Sequence, residues 1–232
     1  MASAAYEIAW VSERHLRVSV GADTSAATNG RVRGACAALR GAGLPGLIDV
    51  TPAYATVLVT FDVGAVEAGS AEQRVRGALE QARDAGEAAP GRSVEIPVCY
   101  EGGFAPDIGD VARLHGTSMR EVAAMHSGGA YLVQFLGFSP GFAYLGGLPA
   151  GLATPRLERP RTRVPAGSVG IAGEQTGIYP HATPGGWRLI GRTPLRMFDA
   201  ERDPPALLAM GDRVRFVPID SARFAALAAE EH

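Results

Sequence analysis

The stretch that decides the fold runs from Tyr131 to Phe198 and reads YLVQFLGFSPGFAYLGGLPAGLATPRLERPRTRVPAGSVGIAGEQTGIYPHATPGGWRLIGRTPLRMF. Between Gly137 and Gly191 it carries twelve of the chain's thirty glycines and seven of its sixteen prolines, in under a quarter of its residues. No long helix survives that density, because an interior Gly costs roughly 1 kcal/mol and a Pro roughly 3. Nor is it a loose linker: Phe138, Phe142, Tyr144, Val164, Val169, Ile171, Ile178, Tyr179, Trp187, Leu189 and Ile190 fill the gaps. The pattern predicts short strands joined by stiff turns, with loops fixed enough to hold a ligand or a partner.

Working outward, DRVRFV at 212–217 alternates as a last strand should, and a short amphipathic helix is expected over 221–229. On the other side, SVEIPVCY at 93–100 reads as a strand in which Pro97 argues for an edge or a bulge. Two short helices follow, at 107–115 and 118–126, the second opened by a capping box of Ser118 and Glu121. So many short strands need their edges managed, which points to a closed or nearly closed β-barrel.

The first third has a different rhythm. Strands are expected at 6–11, 15–21, 47–51 and 56–61. A helix over 25–39 places Ala26, Val32, Ala35, Cys36 and Leu39 mostly three or four apart and is stopped by Gly41 and Gly43. A second opens at Ser70, with Gln73 completing a capping box, and runs through Val75, Leu79 and Ala82 to Gly86. Two strands, a helix, two strands and a helix make a small α/β sandwich. The polar run GEAAPGR at 86–92 marks the boundary. The chain therefore reads as α+β, with domains at 1–90 and 91–232.

Composition sets further bounds. At 232 residues and 47% apolar, the chain can build real cores, and a formal charge of −2 offers no basic field for nucleic acid. No signal-peptide pattern or membrane span is legible, so a soluble cytoplasmic protein is expected. Cys36 and Cys99 have no second ligand at metal spacing and read as buried free thiols. All 22 basic side chains are arginine. Without lysine there is no Walker-type phosphate contact, no Schiff base and no carrier residue for biotin or lipoate.

Several patterns could carry chemistry. Gly137-Phe138-Ser139-Pro140-Gly141 fits G-x-S-x-G, but Pro140 has no N–H for an oxyanion hole and no helix follows, so Ser139 reads as a turn residue. Arg156, Arg159, Arg161 and Arg163 stand among Pro155, Pro160 and Pro165. On an extended segment Arg161 and Arg163 share a face and could grip a carboxylate or phosphate, and the prolines limit the entropy lost in doing so. Gln175 and Thr176, in GEQTG, can present an amide and a hydroxyl, although the same residues suit a plain hairpin turn. His181 stands near Tyr179 and Trp187, while His115 and His126 match no compact metal motif. No metal site is expected.

Three segments, FLGFSPGFAYLGGLP at 135–149, PRTRVPAGSVGIAGEQTGIY at 160–179 and PGGWRLIGRTPL at 184–195, resemble the signature of the KipI family. This is also the allophanate hydrolase subunit 1 family (carboxyltransferase domain, subdomains C and D), whose bacterial members include the B subunit of 5-oxoprolinase. The run into the second domain, SVEIPVCYEGGFAPDIGDVARLHG, is similar as well. The resemblance implies a cyclophilin-like C-terminal barrel and two partners, a KipA-like C subunit and a LamB/YcsF-like A subunit. With them the chain would hydrolyse 5-oxo-L-proline to L-glutamate, with ATP as co-substrate. It also implies alternatives: inhibition of a sensor histidine kinase, or a place in a urea carboxylase and allophanate hydrolase system. On this reading Arg161, Arg163, Gln175 and Thr176 contact substrate or nucleotide, Tyr144 and Tyr179 line the cleft, and no catalytic base is named.

Overall fold

The computed structural model describes residues 6–84 and 91–230. The chain divides into two compact units, Met1–Pro90 and Gly91–His232. No described helix is long and apolar enough to cross a membrane.

In the first unit, strands β1 (Glu7–Trp10), β2 (His15–Ser19), β3 (Leu47–Pro52) and β4 (Thr56–Phe61) form an antiparallel sheet in the order β1-β2-β4-β3. Alternation in β4 buries Val57, Val59 and Phe61, beside Leu16 and Val18 of β2. Helix α1 (Ala26–Gly41) lies against β3 and β4 and packs beside α2 (Ala68–Asp84). It contributes Val32, Ala35, Cys36 and Leu39 to the core, and α2 contributes Ala71, Val75 and Leu79. The result is a two-layer α/β sandwich.

The Ser25 hydroxyl caps α1 by accepting the N–H of Thr28. Helix α2 departs from the sequence expectation by starting before Ser70. The carboxylate of Glu67 accepts the N–H groups of Gly69 (3.3 Å) and Ser70 (3.2 Å) and takes the capping role assigned to Ser70. The expected end at Gly86, the side chain of Ala82 and the 86–90 part of the boundary lie outside the described residues.

In the second unit the strands are β5 (Ser93–Cys99), β6 (Tyr131–Leu136), β7 (Ala143–Gly146), β8 (Arg161–Val164), β9 (Ser168–Ala172), β10 (Gln175–Ile178), β11 (Thr183–Gly185), β12 (Arg188–Arg192) and β13 (Arg213–Ile219). Seven of them close into a barrel in the order β10-β7-β6-β13-β5-β12-β9, while β8 and β11 pair as a separate ribbon. Within the barrel, β5 runs parallel to β13 from Ser93↔Arg213 to Cys99↔Ile219, but meets β12 only at Cys99↔Arg192. Its second edge is thus mostly unpaired, which is where Pro97 is tolerated inside a closed barrel.

The barrel strands sort their side chains by parity. Ala143, Leu145, Val169, Ile171, Ile178 and Ile190 join Ile96, Val98, Val133 and Phe216 in the main core. The opposite parity builds a second, smaller core of Phe142, Val164, Ala172, Tyr179, Trp187 and Leu189, with Tyr144 packed against it. Val164 belongs to β8, so the ribbon covers part of the outer barrel wall, and β9 is buried at every position. Gly170 and Gly177 are cross-strand partners in that wall. A Cβ on Gly177 would stand 3.0 Å from Phe142 Cζ and 3.1 Å from Trp187 Cζ3, and one on Gly170 would stand 3.1 Å from Trp187 Cβ. Gly177, read from sequence as part of a possible hairpin turn, and Gly170 are mid-strand positions left bare so that aromatic rings can lie on the wall.

Helices α3 (Ile108–Leu114) and α4 (Met119–Ser127) pack on β12 and β13 respectively, and α5 (Ser221–Glu230) follows the last strand. The capping box of α4 is present: the Ser118 hydroxyl accepts the Glu121 N–H at 3.2 Å, and the Glu121 carboxylate accepts the Ser118 N–H at 2.9 Å. Cys36 and Cys99 are both buried free thiols.

Candidate functional site

The aromatic wall beneath the ribbon is where most of the predicted residues meet. Tyr144 stacks on Phe135 with centroids 4.7 Å apart and meets Phe142 and Trp187 edge-on at 4.9 and 6.0 Å. Phe142 in turn packs edge-to-face on Tyr179 at 5.3 Å and Trp187 at 5.5 Å. Such tilted pairs place ring edges against ring faces and add to simple area burial. Burial pushes the Tyr179 phenol up, while a backbone hydrogen bond at Trp187 and the positive charges of Arg156 and Arg161 pull the other way. Tyr179 is therefore a neutral, buried prop under the arginine segment, whereas Tyr144 is only half-buried.

Arg161 is anchored from below. Its Nη2 donates to Asp107 Oδ1 at 2.6 Å, and Asp107 Oδ2 accepts the backbone N–H of Leu189 at 2.6 Å. Asp107 precedes α3 without capping it through its side chain, because the carboxylate is turned across to the barrel wall instead. The Arg161 Nη1 is buried and has no hydrogen-bond partner in the structure. The guanidinium is thus fixed on its Asp107 side, while one of its donors is sealed from solvent and unpaired on the other.

This corrects the expectation of a matched pair of free arginine forks. Arg161 is held in an internal ion pair, and Arg163 is exposed on β8. The ribbon register explains the difference: Val164 pairs with Thr183 and Arg161 with Gly185, so β8 carries one extra residue and strict alternation is broken. Gln175 starts β10, on the same strand face as Gly177 and hence toward the aromatic wall. Thr176 points the other way. It is fully buried, and its hydroxyl donates to the Gly170 carbonyl at 2.9 Å.

That bond fixes a chain of donors through the barrel. With its only proton on Gly170, Thr176 Oγ1 must accept from His126 Nε2, 3.0 Å away, which leaves Nδ1 to accept the Tyr100 hydroxyl at 2.7 Å. His126 is fully buried, and burial lowers its pKa to about 3. Thr176 is thus part of a neutral internal network, closed to a ligand on the outer wall.

Beside the wall, a cavity of about 470 Å³ is lined by Asp110, Arg113, Leu114, Thr154 and Arg188. Asp110 joins Arg113 at 2.8 Å and Arg188 at 3.6 Å, and Arg188 Nε donates to the Pro155 carbonyl at 3.4 Å. His115 and Thr154 are hydrogen-bonded at 3.0 Å next to it. Sequence reasoning missed Asp107, Asp110 and Arg188. The one signal available was the Trp187-Arg188-Leu189 alternation, which sets a charge between two buried apolar residues. Asp107 and Asp110 are both bonded to arginine, so neither is an unengaged carboxylate free to move a proton. Among the described residues, no group of three or more His, Cys, Asp or Glu is placed to hold a metal ion.

The loop before β7 carries two further anomalies. Phe138 adopts φ 69°, a left-handed conformation that strains a bulky residue, and is 63% exposed while touching Phe142 at 5.4 Å between centroids. The next residue, Ser139, has a buried hydroxyl with no partner. Gly141 and then strand β7 follow, so Ser139 is not a nucleophile at the head of a helix.

The family model of the carboxyltransferase domain, subdomain C and D, matches residues 6–208. Over 236 residues and 98% of both chains, this chain is 39% identical to a Bacillus subtilis (strain 168) protein named as the B subunit of 5-oxoprolinase. An Escherichia coli O157:H7 protein of the same name is 59% identical over 127 residues, 55% of this chain and 58% of that one. The crystal structure of TTHA0988 superposes with a TM-score of 0.78 at 39% identity over 90% of this chain, which spans 40% of that longer one.

Proposed function

The chain belongs to the family of carboxyltransferase domains of subdomains C and D, and from that premise we propose that it is the B subunit of an ATP-dependent 5-oxoprolinase. One observation carries the reading: 39% identity to a protein of that name along 98% of both chains. The reaction opens the lactam of 5-oxo-L-proline to L-glutamate. A lactam carbonyl is a poor electrophile, and transfer of a phosphoryl group from ATP to its oxygen, with ADP leaving, makes addition of water at the carbon and release of the ring nitrogen and phosphate feasible.

In this reading the chain supplies one wall of a shared pocket. Arg161, steadied by Asp107, and the exposed Arg163 face the anionic groups of substrate or nucleotide, with Arg188 behind them. Tyr144 and Gln175 line the cleft, and Tyr179 supports its floor. The commitment of Asp107 and Asp110 to arginine supports placing the proton-transferring groups on a companion chain. A KipA-like C subunit and a LamB/YcsF-like A subunit are the proposed companions. Phe138, strained and exposed beside the floor, is the kind of aromatic anchor that a partner covers. A setting that supplies ATP and keeps two buried thiols reduced is cytoplasmic. The test is copurification of the three chains, followed by ATP-dependent glutamate release from 5-oxo-L-proline. Failure of this chain to enter the complex would remove the reading.

A further inference from the structure

A second cavity, of about 750 Å³, opens where β5 leads into α3 and α4, and it shares no residue with the aromatic wall or the arginine cluster above; only Tyr100, the end of the internal His126 network, reaches it. Its wall is apolar, with Tyr100, Ile108, Met119 and Ile219 among the lining residues, and its charges are one carboxylate, Glu101, and one guanidinium, Arg120. The volume falls within the roughly 300–1,000 Å³ of sites that enclose a small molecule. Twelve residues line it, a size that suits a small ligand.

Three features bear on the kind of ligand it suits. Met119 leaves 57% of its surface in water, and an unbranched thioether adapts to differing apolar shapes. The Tyr100 ring is fixed by its hydroxyl bond to His126 at 2.7 Å, so one wall is rigid before anything binds. Among the described residues, neither Glu101 nor Arg120 is joined to an opposite charge. An apolar acid would gain Arg120 but face Glu101, and an apolar amine the reverse. A molecule with both charges complements both.

We propose that this cavity binds an apolar zwitterion: a free apolar amino acid or a short apolar peptide. The inference concerns the isolated chain and is independent of the hydrolase reading.

Isothermal titration of the full chain with L-leucine and with L-leucyl-L-leucine tests it, the two arms separating amino acid from peptide. The expected result is saturable binding of at least one probe at one site per chain. N-acetyl-L-leucine amide, which keeps the apolar body and loses both charges, should bind roughly tenfold more weakly. Glu101→Gln and Arg120→Gln should each weaken the zwitterion about three- to fivefold. Gly109→Leu should abolish binding by filling the cavity, since a Cβ there meets only Met119 Sδ, at 3.7 Å. Circular dichroism checks its fold, and Ala123→Met serves the same purpose if it fails. Absence of saturable heat from both probes at millimolar concentration, equal binding of the neutral analogue, or undiminished binding to the filled variant would overturn the proposal.

Discussion

Asp107 ties Arg161 to the barrel wall with one carboxylate, Oδ1 lying 2.6 Å from the guanidinium and Oδ2 2.6 Å from the Leu189 N–H. Asp107→Ala removes both acceptors and leaves the arginine without its counter-charge, at a cost of about 2 kcal/mol. Thermal denaturation should show a midpoint lower by roughly 4–8 °C. Asp107→Asn should fall between the two proteins, because an amide can serve only one of the donors as an acceptor. An unchanged midpoint in both variants would mean that the clamp does not form in solution.

The aromatic wall depends on bare backbone at two positions. Gly177→Ala places a methyl 3.0 Å from Phe142 Cζ and from the Ala143 carbonyl oxygen, inside a buried cluster that has no space to give. Overpacking of this kind costs about 1–3 kcal/mol. A denaturant midpoint shift of that size, with altered Trp187 fluorescence, is the expected outcome. In contrast, Gly30→Ala, on α1, where a Cβ meets nothing within 4 Å, should be neutral or stabilising.

His126 makes the stability depend on pH in a defined direction. Burial lowers its folded pKa to about 3 from an ordinary 6.5, so the neutral ring is the form the fold requires. Its contribution is fully present above pH 6.5 and is lost as pH falls from there toward 3. Each pH unit within that window weakens the fold by about 1.4 kcal/mol. Glu121, held at about 2 from 4.5 by the hydrogen bonds of its capping box, begins to add its own loss only below pH 4.5. Denaturation measured at pH 6.5, 5.5 and 4.5 therefore reads mainly His126. His126→Phe should be less stable at neutral pH and flatter across that range.

Phe138 offers a separation of stability from assembly. At φ 69° a glycine is at ease where phenylalanine is strained, so Phe138→Gly should leave the isolated chain as stable as before or more so. The same change removes the exposed ring and should weaken association with the companion subunits about tenfold or more. Loss of stability with unchanged association would contradict the role given to this side chain.

Much of the architecture was legible because local signals and tertiary structure agree. TVLVTF alternates and is a half-buried strand; Ser118 and Glu121 spell a capping box and form one. The glycine- and proline-dense stretch forbids long helices, and it folds into barrel strands and a ribbon. What stayed hidden depends on contacts between distant residues. Glu67 outcompetes Ser70 as a cap because its longer side chain reaches two N–H groups. Thr176 reads like a loop donor, yet the two-residue turn at Gly173 and Glu174 sends it to the inner face, where it meets His126 from fifty residues away. Arg161 and Arg163 match in sequence, but a bulge and an aspartate 54 residues upstream of Arg161 separate them. Asp107 was invisible as an anchor, since a lone Asp before a helix reads first as its cap.

The most direct measurement of the account is glutamate release from 5-oxo-L-proline and ATP by the three chains together, by the same mixture without this chain, and with Arg161→Gln in its place. The account predicts turnover only with the complete set, and a fall of roughly tenfold or more in kcat/KM with the variant, which still assembles with its companions. Equal turnover when this chain is left out would contradict it.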